Sequence, residues 1–97
     1  MIDLPEKQLE QVREIVKFHL PEGEVFAFGS RVSGRAKKFS DLDLMIKARG
    51  ILPWRTMAEL REAFEASDLP ITVDVVDWSN CTEQFRSIVG PQLVNVF

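Results

Sequence analysis

An apolar run, Val25-Phe26-Ala27-Phe28, breaks at a Gly29-Ser30 turn, and the chain resumes an apolar run at Leu42 with two acids, Asp41 and Asp43, set one residue apart. This stretch constrains the fold more than any other. Gly lacks a side chain and tolerates unusual backbone angles, so a Gly-Ser turn can bring bare backbone N–H groups against phosphate oxygens. Residues i and i+2 of a strand share a face, which makes Asp41 and Asp43 project side by side. Adjacent carboxylates repel, and a hard oxygen-seeking cation such as Mg²⁺ relieves them. Between turn and acids lie Arg31, Arg35, Lys37 and Lys38. A phosphate-handling turn joined to a metal-binding strand implies nucleotide or phosphoryl chemistry.

Length and composition narrow the setting. The 97 residues predict a single domain over 1–97, and a hydrophobic fraction of 45% is that of a globular chain. A formal net charge of −3 argues against a protein that coats DNA or RNA, so nucleic acid is not the expected partner. Cys81 is alone and cannot form an intrachain disulfide, which fits a reducing compartment. Glu6, Lys7, Glu10 and Arg13 interrupt any early apolar segment, and no run approaches a membrane span. The expectation is a cytoplasmic protein with no membrane contact.

Periodicity places the acids on elements. Leu9, Val12, Ile15, Val16, His19 and Leu20 recur at three- and four-residue steps, predicting a helix that starts near Asp3–Pro5 and is stopped by Pro21 and Gly23. His19 falls at its end, where a packed or capping role suits it. Glu24–Phe28 predicts a central strand, Ser30–Gly34 one helical turn, Arg35–Ser40 a loop and Asp41–Ala48 a second strand. Trp54–Ala66 predicts an amphipathic helix with Trp54, Met57, Ala58, Leu60, Ala63 and Phe64 facing inward. Ile71–Val76 is β-branched and predicts a third strand. A last helix through Ile88, capped by Asn80 or Thr82, leads to a short apolar tail at Gln92–Phe97.

A charged Asp within a β-branched strand costs free energy unless it has a partner. Asp74 is such a residue, and Asp77 ends the same run. If the strands are neighbours, Asp41, Asp43 and Asp74 converge on one metal site, with Asp77 the rival third acid. An isolated Asp-x-Asp would more readily mark a turn or a solvated edge. The Gly-Ser turn eleven residues before Asp41 and the strand-borne Asp after it make the pattern far more specific.

Gly29-Ser30-Arg31-x-x-Gly34 followed by Ser40-Asp41-Leu42-Asp43-Leu44 resembles the signature of the minimal nucleotidyltransferases of the DNA polymerase beta superfamily. Val73-Asp74-Val75-Val76-Asp77 resembles the strand that supplies that family's third carboxylate, and Phe85-Arg86-Ser87-Ile88 looks like the C-terminal segment of small bacterial members. The resemblance spans roughly residues 24–78. It implies a compact α/β (α+β) nucleotidyltransferase fold, a small mixed sheet with helices mainly on one face. It also implies Mg²⁺, with two ions at the site, and ATP or another nucleoside triphosphate as donor of a nucleoside monophosphate to a hydroxyl.

By the same resemblance, many short members act beside a HEPN-domain protein as its antitoxin, and such antitoxins can attach AMP to a tyrosine of the HEPN ribonuclease. This chain has no Tyr, so the acceptor is not its own tyrosine. The implied roles are triphosphate binding by Gly29 and Ser30, aided by Arg31, and metal binding and catalysis by Asp41, Asp43 and Asp74. Two rival functions follow from the same residues. One is a binding antitoxin that occludes its partner without chemistry, and the other a transferase acting on a small molecule or an RNA end.

Overall fold

β2 (Leu42–Lys47) carries the fold, because both of its faces are covered. In the computed structural model, which describes residues 1–97, Leu42, Leu44 and Met45 are fully buried and Ile46 is 1% exposed. A run apolar at nearly every position is the expected sequence of a strand packed on two sides. β1 (Glu24–Phe28) pairs antiparallel to β2, with Phe28 opposite Asp43. β3 (Val73–Asp77) runs parallel to β2 on its other side, with Asp74 opposite Asp43. β4 (Val94–Asn95) adds antiparallel to β1, giving the order β3-β2-β1-β4.

A parallel pair needs a crossover, and α3 (Trp54–Glu65) supplies it between β2 and β3. It packs with α1 (Glu6–His19) on one face of the sheet. There Leu9, Val12 and Val16 of α1 and Met57, Leu60 and Phe64 of α3 cover Val25, Ala27, Leu42, Leu44, Ile46 and Val75. The other face has a smaller cover. Val89 of α4 (Glu83–Val89) packs on Phe28 and Met45, with Phe26, Val76, Trp78 and Leu93 around them. The fold is therefore the expected mixed α/β architecture, with the two long helices on one face.

Several local expectations are corrected. α1 begins at Glu6 with Pro5 in the cap position, where a missing N–H costs nothing. Trp54 is 76% exposed and Ala58 is also exposed, so α3 buries only Met57, Leu60 and Phe64 of the expected stripe. Periodicity gives the direction of an apolar stripe and not the extent of the surface it meets. The apolar tail contains β4, whose two residues are too few to show a strand period. Thr82 is the α4 cap, its hydroxyl accepting from Phe85 N at 3.1 Å, and His19 Nδ1 lies 2.9 Å from Ile15 O at the end of α1.

Candidate active site

Alternation along β2 sends Leu42, Leu44 and Ile46 into the main core and turns Asp43, Met45 and Lys47 to the other face. Phe28 and Asp74 are the direct neighbours of Asp43 across β1 and β3. Asp43 and Asp74 thus stand side by side on the less covered face. Asp77 is three residues further along β3, on the opposite face, and its carboxylate is engaged: Oδ1 accepts from Ser79 N at 3.0 Å and from Ser79 Oγ at 2.9 Å. Asp74, not Asp77, is brought to Asp43.

Asp74 is exposed on the less covered face of the edge strand β3, so burial does not oblige it to find a partner. What singles it out is its register with Asp43. Asp41 is exposed and lies just before β2, outside the strand that was expected to include it. No group of three or more His, Cys, Asp or Glu side chains is drawn together closely enough to hold a metal ion. The convergence of three carboxylates expected from sequence is thus only partly reached, with Asp43 and Asp74 adjacent and Asp41 at the rim.

The electrostatics are one-sided. Burial raises the Asp43 pKa from its ordinary value, and the charges of Asp74 and then Asp41 raise it further. No protein cation offsets them, since the structure's one ion pair joins Arg13 to Glu6 at 3.7 Å. A carboxylate pair left without a cation suits a hard divalent ion. Mg²⁺ keeps several waters and takes one or two carboxylates plus substrate phosphates, so an all-protein cage is not required.

The Gly-Ser turn is built against these acids. Gly29 has φ 81° and ψ −153°, a combination essentially confined to glycine. A Cβ placed on it would collide with Asp43 Oδ2. Gly29 O accepts from Val32 N and Ser33 N, both at 3.1 Å, closing α2 (Ser30–Ser33). No turn or cap bond uses the N–H of Ser30 or Arg31, as befits the first turn of a helix.

Arg31 does something other than expected. It is 6% exposed, and its guanidinium is consumed by main-chain carbonyls: Nε donates to Ser40 O at 3.2 Å, Nη1 to Asp3 O at 3.0 Å, and Nη2 to Lys38 O at 3.2 Å and Ser40 O at 2.9 Å. Its own carbonyl accepts from Asp3 N at 2.7 Å. Arg31 ties the N-terminal segment to the loop that delivers Asp41, with four of its five donors placed on main-chain carbonyls. A planar five-donor fork fits converging carbonyls as well as it fits phosphate.

Beside the turn lies an open depression of about 550 Å³, lined by Gly29, Ser30, Ser33, Arg35 and Gln92, with no hydrophobic residue among them. Ser33 and Gln92 carry no signal of this in the sequence, where Arg35 stands only among the four cations between turn and acids. Gln92 has no local signal there, because only the pairing of β4 with β1 returns the tail to this edge.

Comparison with known proteins agrees with this geometry. Residues 9–95 match the family model described as a nucleotidyltransferase domain. Over 88 residues the chain is 44% identical to the Haemophilus influenzae protein named "probable protein adenylyltransferase MntA", covering 91% of this chain and 77% of that one. A toxin–antitoxin crystal structure with AMP-PNP superimposes with TM-score 0.75 at 23% identity, covering 92% of this chain and 72% of that one. A tri-AMPylated Shewanella oneidensis HEPN toxin in complex with an MNT antitoxin gives TM-score 0.69 at 20% identity, covering 95% and 71%. At those identities the two structures speak for the fold alone. The family match and the 44% relative go further, and this chain belongs to the nucleotidyltransferase domain family.

Proposed function

We propose that the chain is an antitoxin-type protein adenylyltransferase, which moves AMP from ATP to a hydroxyl on a HEPN-type toxin partner. The observation that carries the reading is the seating of Gly29 directly against Asp43, with Asp74 in register beside it. A turn for phosphates and a carboxylate pair without a cation meet at one point. The relative named as a protein adenylyltransferase, and the AMPylated HEPN toxin seen with a similarly folded antitoxin, support the choice of AMP and of partner.

Gly29 and Ser30 hold the triphosphate through backbone N–H groups and the Ser30 hydroxyl, with the α-phosphate toward Asp43. Asp41, Asp43 and Asp74 are the residues that would hold Mg²⁺, which when bound neutralises charge on the phosphates and on the departing pyrophosphate. Asp74 takes the proton of the incoming hydroxyl at a carboxylate oxygen. The hydroxyl oxygen bonds to the α-phosphorus, and the bond from that phosphorus to the bridging oxygen of pyrophosphate breaks in line. Arg31 fixes the loop from which Asp41 projects. No helix is long and apolar enough to cross a membrane, and Cys81 is a free thiol; both suit a protein that works in the cytoplasm, where ATP is at hand.

ATP labelled at the α-phosphate separates the readings. Label passing to the HEPN partner from α-labelled but not from γ-labelled ATP is the expected result. A tight complex with no transfer from either would favour occlusion without chemistry, and label from the γ-position would mean phosphoryl transfer instead.

A further inference from the structure

The adenylyltransferase reading needs a cation at the triphosphate, and Arg31, the arginine nearest the Gly-Ser turn in sequence, is spent on carbonyls. Arg35 is differently placed. It is exposed, forms no ion pair, and lines the polar depression together with Gly29, Ser30, Ser33 and Gln92. Its backbone lies in the loop that Arg31 pins through Lys38 O and Ser40 O, so the site is braced where it stands.

We propose that Arg35 is the positioning cation for the β- and γ-phosphates of the nucleoside triphosphate, with Ser33 and Gln92 completing a polar seat for the pyrophosphate that leaves. This deepens the proposed reaction and rests on it. The shape of the depression supports the division of labour. It shares Gly29 and Ser30 with the turn, yet Asp41, Asp43 and Asp74 do not line it. The reacting α-phosphate belongs on the acid side of Gly29, which leaves the other side for the two outer phosphates. A guanidinium gives them paired, charge-assisted hydrogen bonds. The Ser33 hydroxyl holds only a 3.5 Å contact to Ser30 O, and Gln92 Nε2 a 3.4 Å one to Ile88 O, so both are weakly committed. The depression is lined by glycine, serine, arginine and glutamine, with no hydrophobic residue among them, which suits charged oxygens.

The test measures binding of a non-hydrolysable ATP analogue and of AMP, each with Mg²⁺, to the full chain and to Arg35→Ala, Arg35→Lys and Arg49→Ala. Arg49 is an exposed arginine beyond the far end of β2 and removes the same charge without touching the depression. Loss of one charge-assisted contact corresponds to about tenfold in affinity. Arg35→Ala should weaken the triphosphate analogue by that factor and leave AMP unchanged, Arg35→Lys should recover part of the loss, and Arg49→Ala should match the unmodified chain. Equal affinity for the analogue in Arg35→Ala and the unmodified chain would overturn the assignment, as would equal weakening of the analogue and AMP. An unmodified chain that binds neither nucleotide would instead overturn the adenylyltransferase reading itself.

Discussion

Gly29 is seated so closely on Asp43 that a single added carbon would strike the carboxylate. The contact joins two segments that the sequence separates by a helical turn and an eight-residue loop, residues 34–41. It makes the phosphate turn and the acidic strand one object, and it gives Gly29 two reasons to be glycine: its backbone angles and its neighbour.

Gly29→Ala and Gly34→Ala divide those reasons. Gly34 has φ 81° and ψ 10°, and nothing lies within 4 Å of an added Cβ. Its alanine variant should lose only the left-handed penalty of about 1 kcal/mol and keep transfer. Gly29→Ala adds the clash with Asp43 to a glycine-only conformation and should lose about 2–4 kcal/mol and most activity. Thermal melts and transfer assays on both variants check the order, and equal losses would deny the contact its role.

Arg31→Met should be a stability variant. It leaves main-chain carbonyls of Asp3, Lys38 and Ser40 without their donor, which costs about 2–4 kcal/mol for a buried group of this kind. Because the loop it pins carries Arg35 and Asp41, its KM for ATP should rise together with the loss of stability. A large rise in KM with unchanged stability would return Arg31 to the phosphates.

How much of this was legible beforehand depended on the physical signal each feature leaves. β1 occupies Glu24–Phe28 as its apolar run implied, and β2 keeps its place to within one residue at each end. The pairing of turn and acids could be read because both lie on one continuous stretch. The register of Asp74 with Asp43 could not, since strand order is set by the crossover through α3 and not by local pattern. A β-branched run around Asp74 implies a cost that its exposure removes. Arg31 and Arg35 look alike in sequence, and only their neighbours decide that one braces carbonyls while the other faces a polar hollow.

Asp74→Asn and Asp77→Asn should part company. Asp74 shares a face with Asp43, so its amide should lower kcat by about a hundredfold or more. Asp77 faces away and caps the following turn through Ser79; an amide oxygen can still accept there, and activity should change by no more than about threefold. The opposite order in a transfer assay would hand the third carboxylate to Asp77.

The raised pKa of Asp43 has a consequence for stability. Its native state holds the proton more tightly than the unfolded chain, so between the unfolded pKa and the raised native one stability falls as pH rises. Once Asp43 ionises, the metal-free chain carries a charge that burial, Asp74 and Asp41 all disfavour. Asp43→Asn should therefore melt higher than the unmodified chain at pH 7 without Mg²⁺, and the gap should close as the pH falls below the ordinary Asp range. Melting curves across pH read this directly, and an Asp43→Asn variant that melts lower at pH 7 would contradict it.

The central claim is that the carboxylate pair behind Gly29 performs adenylyl transfer to a partner protein. The most direct measurement is to incubate the chain with its HEPN-type partner, Mg²⁺ and ATP, and to weigh both proteins by mass spectrometry. The expected result is one or more AMP additions on the partner, none on this chain, and their loss in Asp43→Ala with the fold retained. A partner that binds tightly yet gains no mass, or one modified equally by Asp43→Ala, would contradict it.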